Sequence, residues 1–140
     1  MLMPPFHLAF PVSDLDATRD FYVNDLGCEI GREDVKWIDF NFHGHQISAH
    51  LRPEEVAIAH TNSVDGDEVP VRHFGLVLQW DKWEELHTSL EAKGREFLIE
   101  PRTRFEGQAG EQGTFFLRDP SGNALEFKSF KNMDQLFARD

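Results

Sequence analysis

Apolar positions in this chain fall into short runs that spell strand, helix and three strands, and then spell them again. "PFHLAFPV" (residues 5–12) is a brief apolar stretch bounded by prolines and predicts a strand. In "SDLDATRDFYVNDLG" (13–27), Leu15, Thr18, Phe21, Tyr22 and Leu26 recur near the helical period, with Ser13 or Asp14 as cap and Gly27 as stop. "CEIGRE", "KWIDFNF" and "HQISAHL" read as three strands, the last two turning through the glycine of "HGH".

Residues 52–70, "RPEEVAIAHTNSVDGDEVP", break the pattern: acidic and proline-flanked, they read as a connector rather than core. The order then returns. "VRHFGLVLQW" (71–80) predicts a strand, and "DKWEELHTSLEAKG" (81–94) a helix capped by Asp81, with Trp83, Leu86 and Leu90 on one face. "REFLIEP" and "GTFFLRDP" are strands, Ser121 and Gly122 make a turn, and "ALEFKSF" (124–130) closes the repeat. The tail "KNMDQLFARD" carries Met133, Leu136 and Phe137 at the spacing of a short amphipathic turn. The sequence thus predicts an α+β chain, one domain over 1–140: module one about 5–52, connector about 53–70, module two about 71–130, tail 131–140.

Fourteen Lys and Arg against 25 Asp and Glu leave a formal charge of −11. Phosphate neutralisation needs a basic surface, so nucleic acid is excluded as a partner. A signal-like start and a long apolar run are both missing, so no membrane partner and a cytoplasmic location are expected. Cys28 is the single cysteine and reads as a small buried hydrophobe.

Within "NALEF" stands Glu126, a carboxylate among Ala124, Leu125 and Phe127. Buried without a partner it would be costly. Laying the halves over each other pairs His7 ("HLAF") with His73 ("HFGL"), and His50 ("ISAHL") with Glu126. All four are types that ligate divalent metals, and each sits one residue from an apolar neighbour, so the four could converge on one sheet face. His43, His45, His60 and His87 read as surface residues instead.

"FHLAFPVSDLDATRDFYVNDLG", "HFGL" and above all "FFLRDPSGNALEF" resemble the vicinal oxygen chelate superfamily, which includes glyoxalase I, fosfomycin resistance enzymes, extradiol dioxygenases, methylmalonyl-CoA epimerase and the bleomycin resistance proteins. The closer likeness is to an uncharacterised bacterial branch labelled predicted extradiol dioxygenase. The resemblance implies two tandem βαβββ modules forming a curved mixed sheet around a central metal pocket, and a homodimer. His7, His73 and Glu126 fall on the superfamily's metal positions; His50 is either a fourth ligand or a catalytic acid–base group.

In the glycine-rich stretch "EPRTRFEGQAGEQGT" (100–114), Arg102 and Arg104 are candidates for gripping a substrate anion beneath a flap, against the plainer reading of a solvated connection. The function implied is a metal-dependent enzyme whose small substrate chelates the ion through adjacent oxygens, extradiol-dioxygenase-like ring cleavage leading. Iron or manganese suits that chemistry; nickel, zinc, cobalt or magnesium suits a glyoxalase- or epimerase-like lyase or isomerase. The other alternative is a metal-free, bleomycin-resistance-like binding protein, for which an acidic chain suits a cationic ligand.

Overall fold

The computed structural model describes Met3 to Arg139; Met1, Leu2 and Asp140, at the ends of the expected domain and tail, lie outside the described residues. By their contacts the described residues fall into two compact units, those within Met1–Ile58 and Asp119–Asn123, and those within Ala59–Arg118 and Ala124–Asp140.

In the first unit, β1 (His7–Val12), β2 (Glu29–Asp34), β3 (Trp37–Phe42) and β4 (His45–Leu51) build one sheet in the order β1-β4-β3-β2. Only the β1–β4 pair is parallel. Helix α1 (Leu15–Asp20) begins where the Asp14 carboxylate accepts the Ala17 N–H at 3.0 Å, and it runs on into a π-helical turn, Phe21–Asp25. Tyr22 on that turn packs against Phe10 and Phe40, with ring centroids 5.7 and 5.1 Å away. Alternation along the strands puts Ile38, Phe40, Ile47 and Ala49 on this covered face, each at most 1% exposed. The opposite face carries His7, Ala9, Trp37, Asp39, Gln46, Ser48 and His50.

The second unit opens with a hairpin, β5 (His60–Val64) and β6 (Asp67–Val71). Its sheet joins β7 (Phe74–Val77), β8 (Ile99–Arg104), β9 (Gln112–Arg118) and β10 (Ala124–Phe130) in the order β7-β10-β9-β8. Helix α2 (Trp80–Ala92) covers one face. From it, Trp83 donates its indole N–H to the Phe127 carbonyl at 2.9 Å and packs on Phe115. Phe115, Leu117, Leu125 and Phe127 on that face are at most 1% exposed. The other face shows Thr114, Phe116, Glu126, Lys128, Arg102 and Arg104.

Two α+β mixed-sheet modules are therefore present, but the expected curved sheet around a central metal pocket is not. Each ladder is an open four-stranded sheet with two outer edges, β1 and β2 in one and β7 and β8 in the other. The stretch taken as connector holds the β5–β6 hairpin. Its Asp65–Gly66 turn has φ of 49° and 86°, the double left-handed geometry that Asp-Gly serves in two-residue hairpins. Helix α2 starts at Trp80, with Gln79 rather than Asp81 at its cap position, so the strand before it shortens to four residues. No described helix is long and apolar enough to cross a membrane.

Candidate functional site

Glu126 is the centre of the polar cluster on the second unit's open face. Its side chain is 17% exposed, and one carboxylate oxygen lies 3.2 Å from Nε2 of His73, itself 28% exposed. Thr114, on the neighbouring strand, donates its hydroxyl to the other oxygen at 2.6 Å. The His73 ring is held from behind, its Nδ1–H donating to the Pro70 carbonyl at 2.6 Å while its edge meets Phe116. These contacts set the charge states. Hydrogen bonding to Glu126 raises the His73 pKa above its ordinary value, against the opposing effect of burial. Burial pushes Glu126 upward, but the bonds from His73 and Thr114 outweigh it and the carboxyl ends below its ordinary value. The imidazole and the carboxylate thus satisfy each other across the two strands' open face. That explains a charged residue in an apolar strand without an ion.

The other expected ligands do not gather. His7 stands opposite Gln46 at the start of the β1–β4 ladder, and His50 stands opposite Pro11, four residues further along β4. Four residues of strand separate the two histidines by roughly 13 Å. Both are exposed. Register also corrects the overlay of the halves. Glu126 pairs with Gly75, two residues after His73; two residues after His7 comes Ala9, whose partner is Ser48, not His50. Among the described residues, no three His, Cys, Asp or Glu side chains form a group that could hold a metal ion. This overturns the expected divalent metal on His7, His50, His73 and Glu126. With it go the readings of a metal-dependent dioxygenase or other oxidoreductase and of a metal-dependent lyase or isomerase.

Arg102 and Arg104 lie on β8, where each forms an ion pair with the β5–β6 hairpin, Arg102 with Asp67 and Arg104 with Asp65. His87 is not a plain surface residue: it bonds Glu91 at 3.1 Å and packs edge-on against Trp83. Cys28 is buried, and burial pushes its thiol up to about 12, so it is no nucleophile.

Two features went unread in the sequence. In the Asp-Pro-Ser-Gly-Asn turn, Asp119 accepts the backbone N–H groups of Ser121 and Asn123 and the Tyr22 hydroxyl, at 2.9, 2.9 and 2.8 Å. Burial raises its pKa and that of Tyr22. The signal was the turn motif itself, an aspartate positioned to bond its own backbone two residues on. The second is Asp39, on the first unit's open face, where Ser48 donates its hydroxyl at 2.5 Å. Alternation in "WIDFNF" sets Asp39 apart from Ile38, Phe40 and Phe42, a signal present but passed over.

The sequence pattern of the glyoxalase/bleomycin resistance protein/dioxygenase superfamily matches residues 5–127. The chain is similar to a glyoxalase/bleomycin resistance protein/dioxygenase from Alicyclobacillus acidocaldarius, with 36% identity, 96% of each chain covered and a TM-score of 0.74. A genomically encoded fosfomycin resistance protein from Listeria monocytogenes shares 20% identity over 92% of this chain and 94% of that one, at a TM-score of 0.68. For lactoylglutathione lyase from Agrobacterium tumefaciens the identity is 20%, the coverage 90% and 92%, and the TM-score 0.63. At 20% identity these last two speak for the fold alone. No curated protein matches the sequence.

Proposed function

The chain belongs to the glyoxalase/bleomycin resistance protein/dioxygenase superfamily, and on that premise we propose that it is a metal-free, bleomycin-resistance-like protein that binds a small molecule without turning it over. One observation carries this reading: no three ligating side chains gather among the described residues, and Glu126 is spent on His73 and Thr114. Both carboxylate oxygens of Glu126 already have partners of their own, one at His73 and one at Thr114. Support for a small organic ligand comes from the open sheet faces, where polar groups stand above an apolar core, and from the 36%-identical relative, which is named in part for bleomycin resistance.

A homodimer goes with this reading as what the superfamily resemblance implies. A cytoplasmic setting fits a chain whose one cysteine is free and buried.

Elemental analysis of protein purified without chelator tests the proposal. Metal well below one equivalent per chain is expected, with ligands from a small-molecule panel raising the melting temperature equally with and without EDTA. One tightly held equivalent, or ligand binding that returns only on adding iron, manganese, nickel, zinc, cobalt or magnesium, would overturn it.

A further inference from the structure

We infer that the first unit contains a binding site for a small zwitterion, with Asp39 receiving its ammonium end and Arg32 its carboxylate end. This deepens the small-molecule reading above and rests on it. The site is a cavity of about 360 Å³ whose lining includes Gly31, Arg32, Asp39, Asn41, His45 and Gln46. That is the size of a pocket for a compact organic ligand.

Asp39 is a half-buried carboxylate that no cation answers among the described residues. Its donors are the Ser48 hydroxyl at 2.5 Å on one oxygen and the Gln46 amide at 3.5 Å on the other, the latter at the limit of a hydrogen bond. Both are neutral, so they orient the group without compensating its charge. Arg32 supplies the opposite sign in the same cavity. Its guanidinium lies over the Trp37 ring, 5.8 Å from the centroid, which steadies its fork of donors while leaving them open to a carboxylate. Neither Arg32 nor Asp39 makes an ion pair among the described residues.

Two opposite charges that line one cavity and do not pair with each other suit a ligand bearing both signs. His45 adds to the wall: its Nδ1 accepts the Phe6 N–H at 2.8 Å, which leaves Nε2 as its remaining donor.

Three probes of equal length separate the possibilities: 6-aminohexanoate with both charges, hexylamine with the positive one alone, and hexanoate with the negative one alone. Calorimetric titration of the wild-type chain in EDTA is expected to rank 6-aminohexanoate at least about tenfold tighter than either of the others. In Asp39→Asn its affinity should fall to that of hexanoate, because Ser48 still holds an amide but the counter-charge is gone. In Arg32→Gln it should fall to that of hexylamine; this position is exposed, so the fold survives the change whatever happens at Asp39. Equal affinities for the three probes, no binding of any, or an undiminished 6-aminohexanoate affinity in Arg32→Gln overturns the inference. Other ligands binding in EDTA while these fail leaves the metal-free reading standing, whereas a stoichiometric metal removes that reading without touching the probe ranking.

Discussion

The two units share one strand order, yet each settles a carboxylate on its open sheet face differently. In the second, Glu126 meets the His73 imidazole from the segment before β7 and a hydroxyl from β9, so each of its oxygens has a partner. In the first, Asp39 meets a hydroxyl and an amide from β4 and, among the described residues, no ion-pair partner. The strand opposite shows the same divergence. Gly75 faces Glu126 where Ala9 faces Ser48, and a Cβ built on Gly75 would lie 1.6 Å from the Glu126 carbonyl oxygen. The backbones of β7 and β10 have closed to a spacing that only glycine permits. Repetition of a topology therefore does not repeat its chemistry: a register position in one half says where its counterpart sits, not what it bonds.

The sharpest break of this comparison is Gly75→Ala against Ala9→Gly. The first should cost about 3 kcal/mol or more, since backbone rather than a movable side chain must give way; the second should cost about 1 kcal/mol. Urea unfolding of both reads the contrast, and similar costs would show that the two ladders are equally tight.

Next comes Tyr22→Phe, which takes one donor from the buried Asp119 carboxylate and should cost about 2 kcal/mol by the same measurement. A loss within error of zero would mean that Asp119 is satisfied by its own turn.

The smallest expected effect, and the most specific, is the pH dependence of Glu126→Gln. His73 has a raised folded pKa, so its contribution is complete below its unfolded value near 6.5 and is lost as pH rises through the folded value. For Glu126, depressed in the fold, the contribution is complete above the unfolded value near 4.5 and is lost as pH falls through the folded one. The wild-type protein should therefore gain most over Glu126→Gln between those two values, by about 1–2 kcal/mol, and lose that margin on either side. A margin that does not change with pH would show that His73 and Glu126 are not charged together.

Much of the fold was legible in the sequence because its signals are local. The strands 45–51 and 124–130 match the apolar runs that predict them, and Asp14 caps α1 as its position before the periodic residues suggested. The Asp-Gly hairpin was equally local, but the acidity around it read as linker. The candidate site was less legible. Overlaying the halves placed His50 against Glu126 by resemblance of runs, whereas hydrogen-bond register places Ser48 there.

What the residues by themselves determined is the order of elements within each four-stranded module, the faces that are apolar and the superfamily, because periodicity and turn chemistry act over a few neighbours at a time. What only the tertiary structure decided is who answers each charge. Pro70, His73, Thr114 and Glu126 are brought together by strand register and a turn. A shift of two residues in a ladder moves a side chain by more than the reach of a hydrogen bond.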